Sequence, residues 1–374
     1  MRCPLLLLVP AILITACSET PPLAPDRESD LAKGGGGPPA TGNITVVDLG
    51  FTLANDIDEH GRVAGWSQSS AGTRAILWTP VARRGTTGTA RTLPGLGGKE
   101  TYAVGMNEAQ QVVGLATDGS TYHAVLWNGD LLQVLGDGVA SGSAADDLSD
   151  PSEGGIRFVV GRTEGPFRPA VWRVSGVGGI SGPELLPGYP AGVSGGQAIA
   201  ANSSGLIVGD SESPSTILPV RWTESATGWE AAPLALLPGT SRGQALDVNE
   251  DGAAVGFNSR SSGCSRGVAW TPPSYPAVPL QDLAGGFCSW AWAINGVGQI
   301  TGGARDARGA EQPVLWTPLG TGGYSILPLG GSKRVSQGQG RSLNDPEADP
   351  SGGRTLEVVG ITGGRATLWK VKLP

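Results

Sequence analysis

A pattern of apolar and polar positions recurs along most of the chain. One copy begins at Ala103, reads Ala-Val-Gly-Met-Asn-Glu-Ala-Gln-Gln-Val-Val-Gly, and ends at Gly114. Four other copies match it position for position, and two carry insertions after the Asn or its equivalent. In chain order the copies are 54–65, 103–114, 145–161, 198–209, 245–256, 291–302 and 340–360. The period-two alternation on both sides of the turn, which reads Asn-x-x-Gly at 202–205, 249–252 and 295–298, predicts two short strands joined by a tight hairpin.

Two further apolar stretches belong to each unit. The third predicted strand ends in tryptophan, at Trp78, Trp127, Trp172, Trp222, Trp270, Trp316 and Trp369. The fourth is a Leu-Gly stretch, and its seventh copy, 46–50, precedes the first repeat instead of following the last. Units of about 47 residues with four strands are typical of β-propeller blades. We therefore predict an all-β, seven-bladed propeller over residues 43–374, in which residues 44–49 complete the last blade and close the ring.

The repeat is similar to the bacterial extracellular HAF repeat family. The fullest match runs from Leu96 to Trp127 and contains Leu-Gly-Gly, the Asn-centred motif and His123-Ala-Val-Leu-Trp. The resemblance implies an exported repeat protein and no established activity. A weaker likeness exists to the regulator-of-chromosome-condensation type propellers, which also have seven Gly-rich blades.

Composition and the first residues fit an exported β protein. The chain has 61 glycines and 29 prolines, which exclude a mainly helical fold. Residues 1–16 are predicted to be a signal peptide, because a short apolar run follows Arg2. The run ends in Leu-Ile-Thr-Ala-Cys17, which resembles the lipobox of bacterial lipoproteins, so Cys17 is the expected lipidation site. Residues 17–42 are expected to be a disordered tether.

The expected setting is the cell envelope. The lipid would anchor the protein to the membrane, and Ser18 after the cysteine points toward the outer membrane. The alternative is an ordinary signal peptide cleaved near Ala16, which gives a secreted protein. A net charge of −7 disfavours nucleic acid as a partner. We expect a monomer.

Alternating strand direction lets the loops be sorted between the two faces of the ring. Cys264 and Cys288 are placed on the same face in neighbouring blades, so an exported protein is predicted to join them in a disulfide. That face also carries an excess of arginines, and we predict that it meets an anionic glycan or an acidic protein surface. Solvated loops with no partner are the alternative. The arginines are Arg74, Arg162, Arg168, Arg242, Arg260, Arg266, Arg305, Arg308, Arg334 and Arg365.

The repeated residues have a structural interpretation. We expect the seven tryptophans to pack between blades as apolar wedges, with a sugar-stacking platform as the alternative. The repeated Asn is expected to cap its own hairpin turn.

Few motifs suggest catalysis or cofactors. Ser194 lies in Gly-x-Ser-x-Gly, but His60 and His123 both precede it, so the order required by that hydrolase class is missing. No cofactor is expected. Three carboxylates alternate in a turn insertion of blade 7, Asp345, Glu347 and Asp349, and such a pattern can supply oxygens to Ca²⁺. Pro350 replaces the Gly that an EF-hand loop requires, so the sequence favours the alternative, a solvated acidic turn.

The competing function is a carbohydrate-active hydrolase or lyase with carboxylates in the central channel. The candidates are Asp56, Asp147 and Asp247. The inner-strand motif supplies mainly Ala, Ile, Val and Gly, which counts against this alternative. The two functions are distinguished by whether two of these carboxylates converge.

Overall fold

The computed structural model confirms a seven-bladed β-propeller built from four-stranded antiparallel blades. It describes residues 44–136, 142–163, 167–176, 179–260, 263–320, 322–330, 337–349 and 352–373. The predicted signal peptide, Cys17, the tether and Arg334 lie outside these residues. Among the described residues there is no helix of the length and apolarity needed to cross a membrane.

The strands follow one another in chain order around the ring, except for the first. β1 spans Ile44–Asp48. Blade 1 is β2 (Leu53–Ile57), β3 (Val63–Ser69), β4 (Gly72–Pro80) and β5 (Gly88–Thr92). Blade 2 is β6 (Thr101–Met106), β7 (Gln111–Thr117), β8 (Tyr122–Asn128) and β9 (Leu131–Val134). Blade 3 is β10 (Ser143–Leu148), β11 (Arg157–Thr163), β12 (Arg168–Val174) and β13 (Ile180–Leu185). Blade 4 is β14 (Gly195–Ala201), β15 (Ile207–Glu212), β16 (Ile217–Ser225) and β17 (Gly228–Pro233).

The remaining blades repeat this arrangement. Blade 5 is β18 (Arg242–Val248), β19 (Ala254–Ser259), β20 (Ser265–Trp270) and β21 (Ala277–Pro279). Blade 6 is β22 (Ser289–Ile294), β23 (Ile300–Arg305), β24 (Glu311–Pro318) and β25 (Tyr324–Pro328). Blade 7 contains β26 (Gly338–Leu343), β27 (Glu347–Ala348), β28 (Arg354–Thr362) and β29 (Arg365–Leu373).

The ring closes as the sequence predicts. β1 pairs antiparallel with β29, with Val46 opposite Trp369, and so forms the outer strand of blade 7. The short β27 lies in the turn insertion of this blade and pairs with β28. Strands from both ends of the described chain therefore share one sheet, and the last blade has no unpaired third strand.

The core consists of layers between neighbouring blades. The repeated tryptophans are buried, and the clusters around them join adjacent blades, as where Trp270 of blade 5 packs with Val208 of blade 4. In blades 2 to 6 the indole also donates to a loop carbonyl of the preceding blade: Trp127 Nε1 lies 2.8 Å from Pro94 O, and Trp270 Nε1 lies 2.7 Å from Ala235 O. The same side chain thus supplies apolar area and a satisfied polar group.

The first strand of each blade is its inner strand, and every inner strand contains a β-bulge at the same repeat position. The bulge comes just after the first residue of the repeat copy, which we call the motif Ala and which is Gly340 in blade 7. Part of this geometry is explained by the glycine that ends each repeat copy. This closing glycine lies on the second strand, opposite the motif Ala. A Cβ on Gly114 would overlap the carbonyl oxygen of Tyr102, and the other six closing glycines meet the same obstacle. Only glycine permits this approach of the two backbones. The residues at the bulge are Asn55, Val104, Asp146, Ile199, Leu246, Trp292 and Arg341.

Candidate ligand-binding site at the junction of blades 6 and 7

The two faces of the ring differ in the loops that they carry. We call the face with the hairpin turns between first and second strands the turn face. The opposite face carries the loops between second and third strands and the connections between blades. It also holds the predicted Cys264–Cys288 disulfide, which is confirmed with a Cα–Cα distance of 5.3 Å. We call it the disulfide face.

On the disulfide face, neighbouring blades meet through one repeated pair of positions. The residue after a closing glycine contacts the residue that precedes the motif Ala, or its equivalent, in the next blade. Between blades 1 and 2 the pair is aromatic, with ring centroids of Trp66 and Tyr102 5.7 Å apart. Between blades 4 and 5 it is polar, with Gln244 Nε2 2.8 Å from Asp210 Oδ2. This ring of positions varies in chemistry from blade to blade, and so do the bulge positions.

The variation gives the junction of blades 6 and 7 an unusual set of groups. The bulge residues Trp292 and Arg341 stack, with the guanidinium carbon 3.9 Å from the indole centroid. Arg305 lies 5.5 Å from the ring of Trp290. Burial lowers the pKa of Arg341 to about 10, so it stays charged at neutral pH.

Several polar atoms at this junction are buried without a hydrogen-bond partner among the described residues. They are Trp292 Nε1, Arg341 Nε and Gln339 Oε1. A buried donor or acceptor that is left unpaired costs about 1–3 kcal/mol, so such atoms mark a place where an additional molecule could bind.

Among the described residues of this junction, Glu311 supplies the carboxylate. Gln339 Nε2 donates to Glu311 Oε1 at 2.5 Å. Burial raises the pKa of Glu311, while the hydrogen bond and the charges of Arg305 and Arg341 oppose the shift. We call this group the Arg341 cleft. It comprises Trp290, Trp292, Arg305, Glu311, Gln339 and Arg341.

The arginines selected from the sequence are in several different environments. Three form ion pairs within the ring: Arg162 with Asp146, Arg266 with Asp282, and Arg365 with Asp48. Two donate to backbone carbonyls: Arg74 to Lys99 and Arg242 to Ser215. Arg260 and Arg308 are exposed, Arg168 is half-buried, and Arg305 belongs to the Arg341 cleft. The sequence placed Arg305 on this face but missed Arg341, because nothing in the repeat distinguishes a bulge position by charge.

The three channel carboxylates are close enough to influence one another. Burial is the largest cause of a raised pKa in each of them, and each pKa is about 7. Mutual repulsion adds to the shift, because Asp147 raises the pKa of Asp56, Asp247 that of Asp147, and Asp56 that of Asp247. A carboxyl with this pKa is suited to proton transfer.

Their oxygens, however, are engaged by backbone N–H groups of two blades. Asp247 Oδ1 accepts from Val248 N at 2.8 Å in its own strand, and Oδ2 accepts from Ile294 N at 2.8 Å in the next blade. Asp56 does the same with Ile57 and Met106. This arrangement favours a role in joining blades over a role in chemistry.

The three carboxylates considered for Ca²⁺ lie on the turn face, and two of them meet cations of the chain. In the blade 7 insertion, Glu347 pairs with Arg83 and Arg84, and Asp349 lies 3.9 Å from Lys372 Nζ. The backbone N–H of Asp345 donates to Glu59.

The sequence did not predict a second group on this face. Asp58, His60 and Glu108 offer ligand atoms within 4.8 Å of one another. Arg62 pairs with Asp58 and places Nη2 3.5 Å from His60 Nδ1, so a positive charge already occupies the space that a divalent ion would need.

The residues of the motifs considered for catalysis lie in different parts of the ring. Ser194 is exposed in the connection between β13 and β14. His123 Nε2 lies 3.2 Å from the carboxylate of Asp118, on the disulfide face of blade 2.

Comparison with known proteins supports the fold alone. No protein-family model matches the chain, and no curated protein matches its sequence. Among solved structures, the β-propeller domain of the Trilobed protease from Pyrococcus furiosus, described as having an open velcro topology, is similar with a TM-score of 0.51 at 8% identity, covering 87% of this chain and 96% of that one.

Two other similar structures are less close in shape. TolB from Acinetobacter baumannii has a TM-score of 0.42 at 12% identity, covering 82% of this chain and 78% of that one. Trypanosoma rangeli sialidase has a TM-score of 0.39 at 11% identity, covering 88% of this chain but only 59% of the sialidase.

Proposed function

We propose that the protein is an exported, lipid-anchored binding module that takes an acidic saccharide in the Arg341 cleft. The observation that carries the proposal is the guanidinium of Arg341, which stacks 3.9 Å above Trp292 and has a buried N–H with no partner among the described residues. Guanidinium groups bind carboxylates through paired, charge-assisted hydrogen bonds, and stacking on an aromatic ring fixes their orientation.

The surroundings support a sugar more than a small inorganic anion. Trp290 and Trp292 supply aromatic surface, and the amide of Gln339 supplies a group that can bond to a hydroxyl. Apolar walls with a few converging polar groups are typical of small-ligand sites. The hydrolase or lyase alternative is less well supported, because the channel carboxylates are held by backbone N–H groups.

The proposal is tested by calorimetric titration of the purified full chain with trigalacturonate and with its methyl ester. The ester keeps the sugar rings and removes the charge. We expect binding of the acid only, and a loss of about tenfold or more in Arg341→Ala, because hydrogen bonds to charged groups contribute about 1.5–3 kcal/mol. Arg341→Lys keeps the charge but loses the paired N–H donors, so its affinity should lie between those of the unmodified protein and Arg341→Ala.

Arg308→Ala is the matched control, since Arg308 is exposed on the same face and outside the cleft. It should bind like the unmodified protein. Equal affinity for the acid and the ester, or unchanged affinity in Arg341→Ala, would contradict the proposal.

A further inference from the structure

Glu311 lies in the Arg341 cleft because several neighbours shape a place for it. It is the first residue of β24 and stands opposite Arg305 in the ladder with β23. Gln339 of blade 7 donates to its Oε1 at 2.5 Å. A Cβ on Gly303 would stand 2.5 Å from that same oxygen, so the carboxylate occupies space that only glycine leaves open.

The charged groups around Glu311 come from two neighbouring strands. Arg305 on β23 and Arg341 on β26 both favour its ionised form. β25 contributes no charged residue, and the carboxylate of Asp306 in the adjoining loop accepts from the backbone of its own turn. Lys333 and Arg334 lie outside the described residues. With Glu311 ionised, the two arginines and the carboxylate carry a net charge of +1, and with Glu311 protonated they carry +2.

We propose that Glu311 is a proton-dependent gate of the Arg341 cleft, in which its ionised carboxylate lowers the positive charge around the two guanidinium groups and its protonation strengthens their attraction for an acidic ligand. This inference rests on the proposed function, because it concerns the same site. Burial raises the pKa of Glu311, so its carboxyl group loses its proton at a higher pH than an ordinary glutamate does. Affinity for an anion should therefore increase as the pH falls through that pKa.

Linkage gives a second consequence. An anion bound beside Glu311 repels the carboxylate and raises its pKa further, so binding takes up a proton. The uptake is measured by calorimetry in buffers of different ionisation enthalpy, as a buffer-dependent heat of binding.

The experiment compares trigalacturonate binding near pH 5 and pH 8, where the sugar acid remains ionised. We expect the unmodified full chain to bind at least about five times more tightly near pH 5 than near pH 8, because protonation removes the negative charge of Glu311 beside the ligand. Glu311→Gln keeps the shape and mimics the protonated form, so it should bind tightly at both pH values. Glu212→Gln removes an exposed acidic charge from the same face and should keep the pH dependence.

A measurement without ligand separates the gate from the proposed function. The titration of Glu311 is followed by ¹³C NMR of labelled carboxyl groups in the free full chain and assigned by its loss in Glu311→Gln. A pKa at or below the ordinary glutamate value, or undiminished pH dependence of binding in Glu311→Gln, overturns the gate while leaving the site intact. If the unmodified chain binds at neither pH, the proposed function fails and the gate fails with it.

Discussion

At the scale of single residues, the repeated asparagine has two bonding roles. In blade 5, Asn249 Oδ1 accepts from Ala253 N at 2.9 Å, which caps its own turn as the sequence led us to expect. Its Nδ2 donates to Asn295 O at 3.0 Å, which lies at the equivalent position of blade 6. The sequence could not show this second role, because the acceptor is a backbone atom brought close only when the ring forms.

These two roles can be separated by substitution. Asn249→Asp keeps the acceptor that caps the turn, as Asp58 does in blade 1, but it loses the donor to Asn295. We expect the free energy of unfolding to fall by about 1–3 kcal/mol, because the carboxylate oxygen that replaces Nδ2 is a buried acceptor facing Asn295 O, which keeps only its bond from Gly298 N. Asn249→Ala loses both bonds and should be less stable still. Urea denaturation measures both variants.

Asn128→Asp serves as the control, since Asn128 is exposed at the end of β8. It should change stability by no more than about 0.5 kcal/mol. If Asn249→Asp is equally stable, the bond between blades contributes nothing measurable.

At the scale of elements, a loop of blade 1 also contacts blade 7, in addition to the pairing between β1 and β29. The loop between β4 and β5 of blade 1 brings the buried Arg84 against the blade 7 insertion, where Nη1 donates to Asp345 O at 2.8 Å. Arg84 also pairs with Glu59 and Glu347. The acidic turn insertion of blade 7 therefore contacts blade 1 across the site of ring closure.

Two adjacent arginines make a matched test of this contact. Arg84→Ala should lower the free energy of unfolding by about 2 kcal/mol, because it removes a buried guanidinium that bonds to backbone carbonyls and to two half-exposed carboxylates. Arg83→Ala removes an exposed pair with Glu347 and should cost no more than about 1 kcal/mol. Thermal denaturation of both proteins measures the difference, and similar Tm values would show that Arg84 does not stabilise the junction.

At the scale of the whole molecule, the ring buries three carboxyl groups around its channel. The pKa values of Asp56, Asp147 and Asp247 are each raised to about 7, chiefly by burial. The folded protein therefore holds these protons more tightly than the unfolded chain, whose aspartates titrate near 3.8. Their contribution to the free energy of unfolding decreases as the pH rises from about 4 to about 7, and it levels off above that.

This dependence is measured by urea denaturation at several pH values. Replacing one carboxyl by an amide, as in Asp247→Asn, should reduce the slope between about pH 4 and pH 7. Asp251→Asn, at an exposed position of the same blade, should leave the slope unchanged. A slope that is the same in Asp247→Asn would mean that this group titrates normally in the ring.

The fold was predictable because every blade repeats the same constraints. Closing glycines such as Gly114, buried tryptophans such as Trp127 and turn-capping asparagines recur at fixed intervals, so seven copies reinforce one interpretation. The candidate site was not predictable for the opposite reason. Arg341 and Trp292 occupy bulge positions that differ in every blade, and Glu311 reaches them from another strand.

The closure by β1 also determines where the chain leaves the ring. Outer strands run from the turn face toward the disulfide face, so β1 begins at Ile44 on the turn face, and β29 ends there at Leu373. The two ends lie side by side, with Ile44 opposite Val371. A ring held at either end, whether by a natural anchor or by a tag on a sensor chip, would therefore have its point of attachment on the side away from the Arg341 cleft.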